Sequence, residues 1–215
     1  EALLSYSKAN NLAPDCYGFY SNYLLCLECD GNSSAERRFE EALSCANTHF
    51  RAVSPRTSFP NLIDPEKPLR IGLISPDLGI HPVGMFLLPL LDSNDRQKYR
   101  FICYSLNDRH DDVAKALREN SLLWRDISQM SDEESCKLIE HDRIDILVDL
   151  SGYTGDNRLS LFARRATPVQ ITWLGYSSTT AVPAMDYIFT DATAVSSGEE
   201  FCPLSILLSS CWKSA

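Results

Sequence analysis

The chain lacks any apolar run of the ~18–20 residues that a membrane-crossing helix needs, so no membrane partner is expected. Positive charge is scarce: 20 Lys and Arg stand against 29 Asp and Glu, a formal charge of −9. Nucleic acid and anionic membranes both demand a basic face, so neither is expected as a main partner. A local basic pocket stays open. No basic-then-apolar leader of the secretory kind is visible. The chain opens inside a helical pattern and without Met, so a longer natural N-terminus is expected. Neither G-x-G-x-x-G nor the Walker pattern occurs, which removes the ordinary dinucleotide and triphosphate cradles. Cys26 and Cys29 form a C-x-x-C, but no second pair follows at zinc-ribbon spacing. No histidine or carboxylate cluster has ligand spacing, so no metal is expected.

What is present is an ordinary globular composition, 44% hydrophobic and 23% charged. A length of 215 residues fits one domain, or one domain with a flanking piece. Cys26, Cys45, Cys103 and Cys136 lie in apolar or helical-looking segments, where cysteine behaves as a small buried hydrophobe. A chain this long can build a core without disulfides. Reduced thiols, and so a cytoplasmic or nuclear location, are the expectation.

Three regions separate by composition. Residues 1–50 read as helical. Ala2, Tyr6, Ala9 and Leu12 recur at helical spacing until Pro14-Asp15 breaks the pattern, and a second apolar stretch covers 17–27. Ser33 or Ser34 can cap a third helix, with Glu36 in its first turn and Phe39, Leu43 and Ala46 on one face. The order Ala2, Tyr6, Lys8-Ala9 and Pro14 matches the second helix of a tetratricopeptide repeat; the plainer alternative is a helical hairpin. Residues 51–68 carry Pro55, Pro60, Pro65 and Pro68 without periodicity, as an extended linker would.

From residue 69, strands alternate with helices. Strands are expected at 69–75, 99–105, 123–127, 144–150, 169–174 and 186–190. Helices are expected at 83–91, 111–119, 132–142 and 157–165, with Ser131 capping the third of these. Such alternation predicts an α/β fold with a mainly parallel sheet, whose ligands sit at the carboxyl ends of the strands.

The first strand end reads Ser75-Pro76-Asp77-Leu78-Gly79-Ile80-His81-Pro82-Val83-Gly84. Pro82 suits the first position of a helix, which places His81 at a helix N-terminus. The dipole there disfavours an imidazolium, so His81 reads as a neutral base or hydrogen-bond partner, with Asp77 a second proton acceptor. A lone histidine is also a common structural residue. The fourth strand end reads Ser151-Gly152-Tyr153-Thr154-Gly155, either a turn or a substrate-lining loop. Arg158, Arg164 and Arg165 then fit a solvated helix face. The fifth, Trp173-Leu174-Gly175-Tyr176 followed by Ser177-Ser178-Thr179-Thr180, could line a sugar pocket, although core packing is the simpler role for Trp173.

Together these motifs resemble one family. Leu69-Arg70-Ile71-Gly72, Ser75-Pro76-Asp77, His81-Pro82-Val83-Gly84 and the Phe101, Cys103-Tyr104-Ser105 group appear in its order. So do Asp145-Ile146-Leu147-Val148-Asp149-Leu150, Gly152-Tyr153-Thr154, Pro168-Val169-Gln170, Trp173-Leu174-Gly175-Tyr176, Met185-Asp186-Tyr187-Ile188 and Thr190-Asp191. The chain resembles the protein O-linked N-acetylglucosamine transferases, including their bacterial and SPINDLY-like relatives. The resemblance implies tetratricopeptide-like and transition helices over 1–50 and a proline-rich linker over 51–68. It further implies a Rossmann-like N-terminal lobe of a GT-B glycosyltransferase over 69–200 and a truncated connector over 201–215. The implied reaction is inverting transfer of N-acetylglucosamine from UDP-GlcNAc to Ser or Thr of acceptor proteins, with no cofactor. O-fucosyl transfer from GDP-fucose, as in SPINDLY-like relatives, is the alternative donor chemistry. The implied catalytic residues are His81 and Asp77, and the implied substrate-binding residues are Pro82, Val83, Tyr153, Leu174, Gly175 and Tyr176.

The motifs also depart from the family's pattern. Val83 stands where animal members carry threonine, which points to the bacterial-like branch. Met85 replaces a second histidine, Ile80 a common asparagine, and Ser177-Ser178 the usual Pro-Gly. The match fades from Glu200, with a faint echo of the connector at Ser210-Cys211-Trp212-Lys213. The second lobe of a GT-B enzyme supplies most nucleotide contacts and the cation that neutralises the leaving diphosphate, so the 215-residue chain alone is expected to be inactive. The competing readings are a non-catalytic protein-binding module of the same descent and an unrelated ligand-binding α/β domain.

Overall fold

A computed structural model of the chain describes residues 1–190 and 205–207. The expected end of the lobe at 200 and the connector motif Ser210-Cys211-Trp212-Lys213 lie outside the described residues.

The helical region contains α1 (Ala2–Leu12), α2 (Tyr17–Glu28) and α3 (Ala35–His49). Pro14-Asp15 ends the first, and the Ser34 side chain caps the third by accepting from the Arg37 N–H at 3.2 Å. α1 packs on α2 and α2 on α3. No residue of α1 is buried. By contrast Tyr23, Leu24 and Leu27 of α2 and Ala42, Cys45 and Ala46 of α3 belong to one buried cluster with Ile74, Tyr104, Leu147 and Tyr153 of the α/β region. The last two helices therefore share the core of the sheet.

The α/β expectation holds. β1 (Leu69–Ser75), β2 (Tyr99–Ser105), β3 (Leu123–Asp126), β4 (Ile146–Asp149), β5 (Val169–Thr172), β6 (Tyr187–Thr190) and β7 (Ser205–Leu207) form one sheet in the order β3-β2-β1-β4-β5-β6-β7. Every pairing is parallel. The crossovers carry α4 (Pro82–Ser93), α5 (Asp112–Asn120), α6 (Asp132–His141) and α7 (Leu159–Ala163). Sequential winding runs outward from β1 to β3, then returns to the other side with β4. That reversal makes the gap between the carboxyl ends of β1 and β4 the topological switch point, where such sheets bind ligands.

The strands carry apolar runs because both faces are covered. One face packs on α2, α3 and α7. The other forms a second cluster, with Leu73, Leu78, Val83, Leu87, Leu91, Cys103, Leu117 and Leu150 buried together. The thiols of Cys45 and Cys103 are pushed up to about 12 by burial, as suits packing residues.

Two features of the connections differ from the sequence reading. Arg158 and Arg165 do not form a solvated face. Arg158 pairs with Asp132 and donates to the Met130 carbonyl, while Arg165 forks onto Asp186 and donates to the Pro168 carbonyl. Helix α7 is also shorter than expected, because Asn157 turns back to donate to the Thr154 carbonyl and Ser21.

Candidate active site

The loop between β1 and α4 is built from local hydrogen bonds. Ser75 Oγ accepts from the Asp77 N–H at 2.9 Å. The Gly79 N–H donates to the Asp77 carbonyl and the His81 N–H to the Gly79 carbonyl, at 2.9 and 2.7 Å. His81 then stands as the N-cap of α4, with extended backbone and Pro82 after it, as expected. Its Nδ1 accepts from the Val83 N–H at 3.3 Å, satisfying one of the helix's free donors. Asp77 Oδ2 lies 3.8 Å from the same nitrogen. The structure thus brings His81 and Asp77 together at the carboxyl end of β1. His81 is partly exposed, Pro82 exposed and Val83 buried.

Two residues that the sequence reading did not single out hold this loop from the β2–α5 connection. Arg109 donates through Nε to the Pro76 carbonyl and through Nη2 to Asp77 Oδ1, both at 2.9 Å. Asp111 caps α5 by accepting from the Ala114 N–H, and its other oxygen accepts from the Ile80 N–H at 3.0 Å. Donations from Ile80 and Ala114 hold the Asp111 carboxyl below the usual carboxylate range. Asp111 was legible as the start of a helix but not as a clasp on a distant loop. Arg109 sits in a polar loop with no local periodicity to mark it.

The β4 and β5 ends interlock. Asp149 closes β4 and is fully buried. Its carboxylate accepts from the N–H groups of Ser151 and Gly152 and from Thr172 Oγ1 on the neighbouring strand. Burial pushes this carboxyl up. The signal for it was a lone acid at the end of an apolar strand. Gly152 has φ of 55°, the left-handed region, and a side chain there would strike Tyr176. A side chain on Gly175 would in turn strike the Leu150 carbonyl. Each loop therefore accepts the other only because a glycine stands at the crossing.

The predicted substrate-binding residues divide. Tyr153 is fully buried, and its hydroxyl donates to the Thr180 carbonyl at 2.8 Å. Tyr176 is 7% exposed, meets the Tyr153 ring edge-on and donates to Glu28 Oε1 of α2 at 3.4 Å. Both hydroxyls bond within the protein, where expectation placed them toward a ligand. Leu174 and Gly175 remain partly exposed. Leu174 has φ of 71°, costly for a branched side chain, and packs with Trp173 against the cluster that holds Leu78 and Val83. The β5 end thus packs against the same cluster as Val83 of the helix that His81 caps.

Among the described residues no group of three or more His, Cys, Asp or Glu gathers closely enough to hold a metal ion, and no helix is long and apolar enough to cross a membrane. A cavity of about 430 Å³, lined by Phe50, Arg56, Phe59, Arg165 and Pro183 among others, lies at the opposite end of the sheet and takes no part in the site.

The chain is similar to known proteins along most of its length. The chain is 35% identical over 185 residues to a protein of Arabidopsis thaliana named probable UDP-N-acetylglucosamine–peptide N-acetylglucosaminyltransferase SPINDLY, covering 84% of this chain and 20% of that protein. A UDP-N-acetylglucosamine–peptide N-acetylglucosaminyltransferase of Caenorhabditis elegans is 38% identical over 127 residues, or 58% of this chain and 11% of that one. The solved structure of a mutant O-GlcNAc transferase from Thermobaculum terrenum superposes with a TM-score of 0.84 at 40% identity, covering 88% of this chain and 36% of that chain. The chain thus spans about a fifth of the SPINDLY protein. The model of one family, described as glycosyl transferase family 41, matches residues 42–202, which takes in the second half of α3, the linker and the strand-end loops. The chain belongs to glycosyl transferase family 41.

Proposed function

We propose that this chain is the N-terminal lobe, with its preceding helices, of a protein O-glycosyltransferase of the GT-B kind. The reaction is transfer of N-acetylglucosamine from UDP-GlcNAc to Ser or Thr hydroxyls of proteins, with inversion, in the cytoplasm or nucleus. Family membership supports the transferase class, and the names of the relatives support the donor and the peptide acceptor. The observation that carries the reading is the placement of His81 and Asp77 side by side at the carboxyl end of β1, beside the topological switch point. In this reading His81 and Asp77 act at the reacting centre, and Pro82, Val83, Leu174 and Gly175 shape the sugar's surroundings. Tyr153 and Tyr176 hold those loops from behind. α1 to α3 are the end of a tetratricopeptide-like array that presents acceptor proteins.

In this reading the cation for the leaving diphosphate comes from the donor-binding lobe, and electrostatic stabilisation there is a large part of such catalysis. The 215-residue chain is therefore expected to transfer no sugar, whereas a longer form carrying a donor-binding lobe transfers it. The test is a radiolabel assay on both forms with UDP-GlcNAc and, separately, GDP-fucose. Transfer by the longer form that His81→Ala reduces at least 100-fold supports the reading. Transfer only from GDP-fucose moves the donor to the alternative. Acceptor binding without transfer from either donor favours a non-catalytic module. Transfer by the short chain overturns the two-lobe account.

A further inference from the structure

His81 offers two nitrogens, and its neighbours decide which one carries the proton. Nδ1 faces a donor, the Val83 N–H at 3.3 Å, and an acceptor, Asp77 Oδ2 at 3.8 Å. Only the first is within hydrogen-bond reach. A nitrogen that accepts has no proton of its own, so the neutral ring carries its proton on Nε2. The ring is 40% exposed.

Asp77 is kept from pulling that proton across by Arg109. The guanidinium fork donates to the Pro76 carbonyl through Nε and to Asp77 Oδ1 through Nη2, each at 2.9 Å. One rigid plane thus fixes both the backbone at Pro76 and the carboxylate at Asp77. Arg109 is itself boxed in. A side chain on Gly79 would come within 2.7 Å of its Cδ, and the Arg118 guanidinium donates to its carbonyl at 3.0 Å. Asp111, the other acid of that connection, is occupied by the Ile80 and Ala114 N–H groups.

We infer that Arg109 is a positioning residue: by holding Asp77 away from His81 Nδ1 it fixes the imidazole with its proton on Nε2, so that His81 serves as a hydrogen-bond donor to an oxygen of the substrate and not as the base. The proton acceptor for the attacking hydroxyl must then be another group. The tautomer itself follows from the geometry alone; only its meaning for the reaction rests on the transferase reading above.

The test is the two-bond ¹H–¹⁵N correlation spectrum of the whole chain at about pH 9, where ordinary imidazoles are neutral. The chain has 4 histidines, and His81→Gln assigns the signal. Wild type is expected to show the Nε2–H pattern, with Nδ1 unprotonated. In Arg109→Met the freed Asp77 reaches Nδ1, and at least a third of the signal is expected to move to the Nδ1–H pattern. Arg109→Lys keeps the charge without the fork and is expected to fall between. A purely structural arginine would alter stability without changing the tautomer. An Nδ1–H pattern in wild type overturns the inference, as does an unchanged pattern in folded Arg109→Met. Failure of both variants to fold also overturns it, by making Arg109 a folding residue. None of these outcomes depends on sugar transfer, so the failure of the transferase reading would show separately in the assay above.

Discussion

Leu174 shows how one residue can be held against its own preference. A left-handed φ of 71° costs a residue with a Cβ about 1–2 kcal/mol. The conformation persists because Gly175 is drawn tight against the Leu150 carbonyl and Tyr176 is locked between Gly152 and Glu28. The usual ranking of small substitutions should invert here. Leu174→Gly is expected to be more stable than Leu174→Ala by about 1 kcal/mol, since glycine loses the packing but also the strain. Urea denaturation of the two variants checks it, and an alanine variant at least as stable as the glycine one would contradict the account. Some of this was readable in advance. A histidine followed by proline marked a helix cap, and the cap is there. The burial of Tyr153 and Tyr176 was not readable, because a tyrosine between glycines looks alike whether its ring faces a ligand or a core. The partner that decides the matter, Glu28, lies far away in sequence.

At the scale of elements, the agreement is closest where the chain has strong local signals. β1 and β2 have the expected bounds, Ser131 caps α6 with a full capping box, and Ser34 caps α3. The inner strands β4 and β5 are shorter than their apolar runs because hydrophobicity extends beyond the ladder, to buried Ile144 and Leu150 around β4 and to half-buried Trp173 and Leu174 after β5. The linker is another case. It carries no periodicity, yet it is strapped to the sheet by Asp145, which accepts from Lys67 Nζ, Asn61 Nδ2 and the Arg70 N–H. Burial acts to raise the Asp145 carboxyl, but these donors outweigh it and hold the group below the usual range. A depressed folded value gives stability that is present above the unfolded value, about 4, and is lost as pH falls through the folded one. Asp145→Asn is therefore expected to cost about 1–3 kcal/mol near neutral pH, the usual size for charged hydrogen bonds. The gap to wild type should close as pH falls from about 5 toward 2. Denaturation midpoints across that window test the sign: a gap that widens in acid would rule out the assignment.

For the whole molecule, composition predicts a helical region, a linker and an α/β lobe; the described residues carry three helices up to His49, no helix or strand over 51–68, and alternating strands and helices from Leu69. Composition could not show that one buried cluster joins α2 and α3 to the sheet, with Val53 of the linker packed against it. Leu27 is fully buried on α2, in the same cluster as Tyr104 and Tyr153. Leu27→Ala is expected to cost about 2–5 kcal/mol. The loss should appear in tryptophan fluorescence, although every tryptophan, Trp124, Trp173 and Trp212, lies outside the helical region. Helices that unfold in a separate transition, leaving the fluorescence melt where it was, would show that α2 and α3 do not share a core with the sheet. The polar ties agree with a single core: Ser21 donates to the Tyr153 carbonyl, and Asn157 links Ser21 to Tyr17.

That continuity bears on how such proteins can be recombined. A repeat array is often treated as an interchangeable adaptor joined to a catalytic body at the linker. Here a splice placed in the proline-rich stretch would strip Tyr23, Leu24, Leu27 and Cys45 from beneath the sheet, and with them the Glu28 carboxylate that Tyr176 leans on. The seam that keeps the buried cluster whole is the Pro14-Asp15 break between α1 and α2: no residue of α1 is buried, and only Leu3 and Tyr6 of that helix pack against the cluster. Upstream of it, α1 can be exchanged; downstream, α2 and α3 travel with the body they cover.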